Sequence, residues 1–192
     1  MNTIVIVEGH QGAGKTTVTN WLRENMLYSN LYRLTGHSDK TPSGLEKSIK
    51  MYDNLMSYIK GLIGCNVNLI FDRIFITEEV YCRLGYRDYS YSSHFDKMLR
   101  KLNALTSEFR VVIINLECRD TNILSKRLAR DKEGHLDIKF SLKESLAQRC
   151  AFYSLMDEIT KKCPKVMTYN IGTDREEMWK TALKGILTKE LK

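Results

Sequence analysis

Short runs of β-branched and other apolar residues alternate along the chain with stretches in which apolar residues recur every three or four positions. The runs stand at Ile4 to Val7, Val67 to Phe71 and Val111 to Leu116, with weaker ones at Leu31 to Thr35 and Val166 to Ile171. The three stronger runs lack strict alternation of apolar and polar residues. That pattern is typical of strands buried on both faces of a parallel sheet.

The stretches between these runs have helical spacing. Their apolar residues are Leu45, Ile49, Tyr52, Met56 and Ile59, then Leu142, Leu146, Cys150 and Tyr153, and finally Met178, Ala182, Leu183 and Ile186. Strands that alternate with helices predict an α/β fold with right-handed crossover connections. Ligands of such sheets bind beyond the carboxyl ends of the strands, so the residues that follow each strand are the first candidates for a functional site.

A glycine-rich segment follows the first predicted strand, and it matches the pattern G-x-x-x-x-G-K-[ST] before continuing into a helix. Glycines allow successive N–H groups to turn inward around an anion, and the helix N-terminus adds partial positive charge. We expect Lys15 to reach the β/γ-phosphates of ATP and the Thr16 hydroxyl to ligate Mg²⁺. The residues predicted to bind this cofactor are Gly9, His10, Gln11, Gly12, Ala13, Gly14, Lys15, Thr16 and Thr17.

The third predicted strand runs directly into Asp72 and Arg73, which places a carboxylate and a guanidinium at the same edge of the sheet. Phosphoryl transfer depends on positioning and charge neutralisation more than on covalent chemistry. Asp72 can hold the metal ion or orient the acceptor oxygen, and Arg73 can bind a phosphoryl group through two parallel hydrogen bonds. We therefore predict that Lys15, Asp72 and Arg73 are catalytic, with Thr16 and Asp72 as the metal ligands.

A basic segment follows the fourth predicted strand. It begins as a helix near Ser125 and ends in polar residues that include Gly134. Arg127 and Arg130 lie three residues apart and share one helix face. We predict that residues 125–140 form a lid that closes over ATP and brings both arginines to the γ-phosphate as catalytic residues. The alternative interpretation is a solvated, charged helix.

Composition narrows the classes of protein that need to be considered. A chain of 192 residues suits one domain. Thirty Lys and Arg against 23 Asp and Glu give a net charge of +7, which predicts an anionic ligand without identifying it. The five cysteines form no disulfide or zinc pattern, so we expect reduced thiols packed as small hydrophobes. With no apolar run as long as the roughly 18 residues of a membrane span, we expect a cytoplasmic protein without a membrane partner.

In this order and spacing, the glycine-rich loop, the Asp72-Arg73 pair and the basic segment resemble the thymidylate kinase and deoxynucleoside kinase superfamily of P-loop kinases. The segment Phe71 to Tyr81 is similar to phage-type deoxynucleoside monophosphate kinases, in which Asp-Arg is followed by an aromatic residue and a helix that ends in Val-Tyr. The chain departs from thymidylate kinases at Gln11, where those commonly carry an acidic residue, and at Ile74, where they carry an aromatic residue or histidine. The resemblance therefore does not identify the base of the acceptor.

The resemblance implies a three-layer α/β P-loop kinase fold, with a five-stranded parallel sheet in the order 2-3-1-4-5 and a helical lid, in a single domain of residues 1–192. It also implies Mg²⁺-ATP as the donor, a homodimer, and the host cytoplasm as the location of a phage-encoded member. Because the phosphate loop contains no arginine, the resemblance implies that the lid supplies the catalytic one, a requirement that Arg127 and Arg130 fit.

Two classes of acceptor stay open. A nucleoside monophosphate is ionised at neutral pH and needs cations to bind it, whereas a 5′-hydroxyl benefits from a carboxylate base, for which Asp39 is a candidate. Arg73 and the net positive charge favour a deoxynucleoside monophosphate, with a deoxynucleoside as the alternative. The predicted substrate-binding residues are Glu8, Asp39, Arg73, Phe75 and Tyr81, and Phe75 or a nearby tyrosine could stack on the base.

Two further classes of protein share part of the pattern. A GTP-binding switch has a phosphate loop, but the nearest match to its guanine-reading motif, Thr160 to Cys163, lacks the carboxylate. A polynucleotide kinase or nucleic-acid-binding P-loop protein is suggested by the net positive charge and the tyrosines between Tyr81 and Tyr91. No recognisable nucleic-acid module accompanies them, so we do not expect nucleic acid to be the partner.

Overall fold

The computed structural model describes residues 1–34, 39–131 and 140–191. Its strands are β1 (Asn2–Gly9), β2 (Ser29–Arg33), β3 (Asn68–Asp72), β4 (Phe109–Glu117) and β5 (Met167–Gly172). They form one parallel sheet in the order β2-β3-β1-β4-β5, which confirms the predicted fold class and strand order.

The helices of the described residues are α1 (Lys15–Asn25), α2 (Pro42–Gly61), α3 (Phe75–Arg83), α4 (Ser92–Ala104), α5 (Thr121–Asp131), α6 (Leu142–Lys162) and α7 (Glu176–Ile186). A short 3₁₀ turn, Leu105–Ser107, leads from α4 into β4. The predicted lid lies only partly within the described residues, because residues 125–131 belong to α5 and residues 132–139 fall outside them. None of the described helices is both long and apolar enough to cross a bilayer.

Alternate residues of each central strand enter two separate cores, one on each face of the sheet. Ile4 and Ile6 of β1 pack with α2, α3, α4 and α6, whereas Val5 and Val7 pack with α1 and α7. Because both faces are covered, the central strands are apolar at nearly every position, as the sequence indicates. The result is a three-layer architecture.

The predicted apolar stripe of α6 does not describe its buried face. Cys150 is exposed, and the fully buried residues are Ser145, Gln148, Phe152, Leu155, Met156 and Ile159. The first turns of α6 bury polar residues because they face the loop after β1, and only the later turns face the apolar core. The prediction of a buried apolar stripe on α7 is wrong at its first residue, Met178, which is 63% exposed.

All five cysteines are free, and the expectation that they pack as small hydrophobes is met fully only by Cys118 and Cys163. Cys65 and Cys150 are exposed, and Cys82 is partly buried.

Gly9 is the position at which the sheet tolerates no side chain. Its φ is 140°, and a Cβ atom there would lie 2.3 Å from the carbonyl oxygen of Leu116 on β4. Gly9→Ala should therefore lower the free energy of unfolding by about 2 kcal/mol or more. Gly185→Ala is the matched control, because a Cβ atom there meets nothing within 4 Å, and it should raise the stability of α7 by about 0.5–1 kcal/mol. Urea titrations of both variants test the prediction, and equal stability of the two would contradict it.

Candidate active site

The glycine-rich loop connects the end of β1 with the first residue of α1. Gly9, Gly12 and Gly14 have φ values of 140°, 78° and 86°, and Gly14 is the N-cap residue of α1. Residues with a side chain rarely adopt such angles, so the glycines make this backbone path possible. The path leads to the N-terminus of α1, where backbone N–H groups and the helix dipole favour an anion.

Lys15 begins α1 and is buried. Its ammonium group donates to the carbonyl oxygens of Gly9, at 2.7 Å, and of His10, at 2.8 Å. The cation is therefore held against the loop that it is predicted to serve. Thr16 and Thr17 follow in the first turn of α1, where both are exposed and line a cleft over the loop.

Asp72 ends β3 in register with Val7 of the neighbouring β1, so its carboxylate emerges at the edge from which the loop departs. The Thr19 hydroxyl, on the buried face of α1, donates to Oδ2 of Asp72 at 3.3 Å. Arg33, at the end of β2, brings its Nε to 3.9 Å from the same oxygen. The carboxylate thus lies between the first turns of α1 and a cation that the sequence analysis did not single out.

Arg73 has a left-handed backbone, with a φ of 72°, which is rare for a residue other than glycine. Its N–H donates to the carbonyl oxygen of Val7 at 3.0 Å, and its guanidinium lies 3.5 Å from Oε1 of Gln11 in the loop. Strained backbone conformations of this kind cluster at active sites and ligand clamps. Here the conformation accompanies a guanidinium that faces the cleft.

The cleft over the loop has a volume of about 470 Å³, within the range of small-molecule sites. Four cationic side chains line it, from three different parts of the fold: Lys15, Arg73, Arg127 and Arg130. The structure therefore brings the predicted phosphate loop, the arginine after β3 and both arginines of α5 to one cavity. Such a cavity suits a ligand that carries several negative charges.

The two arginines of α5 have different environments. Arg127 is half-buried and donates to the Thr173 hydroxyl at 2.9 Å, to the Thr173 carbonyl at 2.7 Å and to the Gly12 carbonyl at 3.3 Å. It is therefore a fixed part of the cleft wall between the loop and the end of β5. Arg130 lies about one turn further along α5 and is exposed, so it is the better placed of the two to move towards a bound phosphate.

A magnesium ion fits these residues if it arrives with phosphates. The described residues contain no group of three or more His, Cys, Asp or Glu side chains that could hold a metal ion. Mg²⁺ commonly binds through one or two carboxylates together with substrate phosphates and water. The Thr16 hydroxyl and the Asp72 carboxylate, which Thr19 ties to α1, are the side chains that would hold it.

Among the predicted substrate-binding residues, Glu8 is fully buried. Its carboxylate accepts from the Ile74 N–H at 2.8 Å and from the Thr77 hydroxyl at 2.5 Å. Burial raises the pKa of Glu8 to about 7, although these hydrogen bonds and the nearby cations Arg73 and Lys15 oppose that rise. In this environment Glu8 fixes the start of α3 behind Arg73.

The Asp39 carboxylate is held by hydrogen bonds from residues at the start of α2. Its carboxylate accepts from the Thr41 N–H at 2.9 Å, from the Ser43 hydroxyl at 2.7 Å and from the Lys47 ammonium. The Lys47 contact, followed by the hydrogen bonds from Thr41 and Ser43, holds the pKa of Asp39 well below its usual range. A carboxylate with a lowered pKa is a weak base, and this weighs against the predicted role of Asp39 as a general base.

The two aromatic candidates lie in different places. Phe75 is fully buried among core aromatic rings and has no exposed surface with which to stack on a base. Tyr81 is partly exposed, and its ring contacts Tyr86 and Phe140 at centroid distances of 5.7 and 6.0 Å. Stacking on a base stays a prediction for Tyr81.

The sequence analysis missed a buried ion pair beside Tyr81. Glu78 on α3 accepts from Arg87 Nε at 2.9 Å and from the Tyr89 hydroxyl at 2.5 Å, and the Arg87 guanidinium lies 5.3 Å from the centre of the Tyr81 ring. Burial, followed by the hydrogen bond to Glu78, raises the pKa of Tyr89 to about 12. The pair anchors the α3–α4 connection. Its members lie nine residues apart, a spacing that neither helix nor strand periodicity predicts as a contact.

A glycine-rich loop between β1 and α1 of a parallel 2-3-1-4-5 sheet defines the P-loop kinase fold. No family model matches the chain, and no curated protein matches it. Solved structures do. A thymidylate kinase from Candida albicans superposes with a TM-score of 0.65 at 16% identity, over 97% of this chain and 91% of that one.

A deoxyadenosine kinase from M. mycoides with bound dCTP superposes with a TM-score of 0.60 at 15% identity, over 97% of this chain and 98% of that one. The same enzyme with bound dATP superposes with a TM-score of 0.56 at 15% identity, over 96% of this chain and 99% of that one. At this level of identity the likeness establishes the fold.

Glu8→Gln should remove a pH-dependent cost of folding. A carboxyl whose pKa is raised in the folded state contributes stability that is present below pH 4.5 and is lost as the pH rises through about 7. A shift of this size corresponds to on the order of 3 kcal/mol. The free energy of unfolding of the wild type, minus that of Glu8→Gln, should fall by about this amount between pH 4.5 and about 7.

Urea titrations at constant ionic strength measure this difference. Glu177→Gln, at an exposed position in the first turn of α7, is the matched control for loss of a carboxylate. A pH-independent difference between the wild type and Glu8→Gln would show that Glu8 keeps an ordinary pKa.

Proposed function

We propose that the protein transfers the γ-phosphate of Mg²⁺-ATP to a deoxynucleoside monophosphate and so forms the diphosphate. The observation that carries this proposal is the cleft over the glycine-rich loop, lined by Lys15, Arg73, Arg127 and Arg130. Phosphoryl transfer needs such a set of cations because charge accumulates on the oxygens of the transferred group. The fold shared with nucleoside and nucleotide kinases supports the same class of reaction.

On the donor side, the N-terminus of α1 and the loop would bind the phosphates, and Lys15 would leave its carbonyl partners to contact them. Thr16 and Asp72 would hold Mg²⁺, which would supply charge neutralisation. Arg127, fixed on Thr173, would form the wall of the donor site. Arg130 would be the arginine that reaches the transferred phosphoryl group.

On the acceptor side, two observations favour a phosphorylated acceptor. Arg73 faces the cleft, where its guanidinium could bind the phosphate of the acceptor. The Asp39 carboxylate has a lowered pKa, which makes it a poor base for a 5′-hydroxyl. A deoxynucleoside acceptor is the second candidate, supported by the shared fold with a deoxyadenosine kinase. A homodimer and closeness to phage-type deoxynucleoside monophosphate kinases stay predictions.

The first test incubates the protein with Mg²⁺-ATP and each common nucleoside and nucleoside monophosphate, ribo and deoxy, and separates the products by charge. We expect a diphosphate from one or a few deoxynucleoside monophosphates. Lys15→Ala should lower kcat by about 100-fold or more with the fold intact, because it removes a cation from the transferred charge. Lys161→Ala, at an exposed position in the last turn of α6, is the matched control and should keep full activity.

Monophosphate products from nucleosides would establish the second candidate instead. ATP turnover on neither class would overturn the proposal and favour polynucleotide ends as the acceptor. In that case, turnover on oligonucleotides that falls steeply with added salt would identify phosphate-backbone binding. Full activity of Lys15→Ala would contradict the assignment of the loop as the donor site.

Arg73→Ala should raise the KM for the monophosphate about tenfold or more and change the KM for ATP much less, because a charge-assisted hydrogen bond to the acceptor is lost. Arg73→Gly should have the same kinetic defect but exceed Arg73→Ala in stability by about 1 kcal/mol, since glycine suits a φ of 72°. Steady-state kinetics and urea titrations measure the two effects. Arg100→Ala, at an exposed position on α4, is the matched control, and an unchanged acceptor KM in both Arg73 variants would remove Arg73 from the acceptor site.

A further inference from the structure

The His10 side chain lies in the glycine-rich loop, yet it is only 1% exposed. Its Nε2 is 3.0 Å from the backbone N of Cys118, and its Nδ1 is 2.8 Å from the carbonyl oxygen of Gln11 and 2.9 Å from the Ser145 hydroxyl. The ring therefore touches the turn after β4, its own loop and α6. The sequence pattern treats this position as variable, so the motif does not indicate such a role.

These contacts define the protonation state of the ring. A backbone N–H can only donate, so Nε2 must accept from Cys118 and the proton must be on Nδ1. Nδ1–H then points to Ser145 and Gln11, while the Ser145 hydroxyl donates to the Gln11 carbonyl at 2.6 Å. A doubly protonated ring would set two N–H groups against each other at Cys118. Burial lowers the pKa of His10 to about 4, in agreement with a neutral ring.

Helix α6 also binds the backbone N–H of Gln11. The Gln11 N–H donates to Oε1 of Gln148 at 2.9 Å, and Ser145 and Gln148 lie three residues apart on one face of α6. Both of these side chains are buried. The N–H and the carbonyl oxygen of one loop residue are thus both fixed by α6, with His10 contacting the same carbonyl.

The Cys118 backbone is held from both sides in a similar way. Its N–H donates to His10, and its carbonyl oxygen accepts from Arg149 of α6 at 3.1 Å. Asp120 follows in the same turn and accepts from the N–H groups of Asn122 and Ile123 in the first turn of α5. The ring of His10 is therefore the point where the loop meets both the turn that begins α5 and the buried polar face of α6.

We propose that His10 is a positioning residue for the donor nucleotide, whose neutral ring latches the glycine-rich loop to the turn before α5 and to α6 and so presets the loop for a triphosphate. This inference rests on the proposed binding of ATP at the loop. A loop that is already ordered binds its ligand without a further entropic cost, whereas a loop freed from the latch must be ordered by the ligand. Losing the latch therefore weakens binding even though the buried His10 side chain has almost no surface with which to contact the nucleotide.

The test is the affinity for Mg²⁺-ATP and for inorganic tripolyphosphate, measured by titration calorimetry without an acceptor. His10→Ala should raise both dissociation constants about tenfold. His10→Asn keeps an N–H donor near the position of Nδ1 but loses the acceptor for Cys118, so its loss should be smaller. Ser145→Ala should raise the dissociation constants of both ligands. In the His10→Ala background its additional effect should be smaller than its effect alone, because both side chains contact the Gln11 carbonyl.

His94→Ala is the matched control for the loss of a buried imidazole. His94 lies on α4, where its ring packs against Tyr91. Its replacement should lower the melting temperature and leave both dissociation constants unchanged. If His10→Ala fails to fold, His10→Asn and Ser145→Ala still decide the question.

Unchanged dissociation constants in the folded His10 and Ser145 variants would overturn the proposed role of His10. An equal weakening by His94→Ala would also overturn it, because the effect would then be one of general stability. If the wild type binds Mg²⁺-ATP but phosphorylates no acceptor, only the proposed reaction fails. If the wild type binds neither Mg²⁺-ATP nor tripolyphosphate, the latch fails together with the donor site.

Discussion

The pairing of β1 with β3 on one side and β4 on the other is the constraint on which the rest of the structure depends. It sets Val7 opposite Asp72 and Gly9 opposite Leu116. The loop must therefore leave the sheet between the carboxylate that ends β3 and the turn that begins α5. Glycine at position 9 allows β1 and β4 to remain paired up to that point, because a Cβ atom would overlap the Leu116 carbonyl.

Burial then sorts the ionisable groups around the loop. Desolvation favours the uncharged forms of Glu8 and His10, whose pKa values move in opposite directions for the same reason. Lys15 is also buried, but it bonds to two carbonyl oxygens. The arginines that line the cleft remain at its surface. The positive charges of these arginines thus face the cleft in which a polyanion would bind.

The strands and the loop could be predicted because each depends on local patterns, namely apolar runs and the spacing of glycines before a lysine. The strand order is a non-local property and could be predicted only from the resemblance to P-loop kinases. The buried face of α6 could not be predicted, because the usual rule counts apolar residues and the first turns of this helix bury Ser145 and Gln148 against the loop. The backbone strain at Arg73 and the contact between Glu78 and Arg87 have no signal in sequence either. The Arg73 conformation accompanies a hydrogen bond from its N–H to the Val7 carbonyl of β1, and the Glu78–Arg87 contact depends on the path of the connection after α3.

The division of α6 into a polar half and an apolar half has a mechanical consequence. Its later turns are locked in the core by Phe152, Leu155 and Ile159, so the helix has little freedom to rotate or slide. The hydrogen bonds that Ser145 and Gln148 make to Gln11 therefore fix the loop to a rigid support. The loop cannot drag the helix with it. A ligand that changes the loop conformation at Gln11 must first break these hydrogen bonds. The position of α6 therefore determines the conformation of the loop.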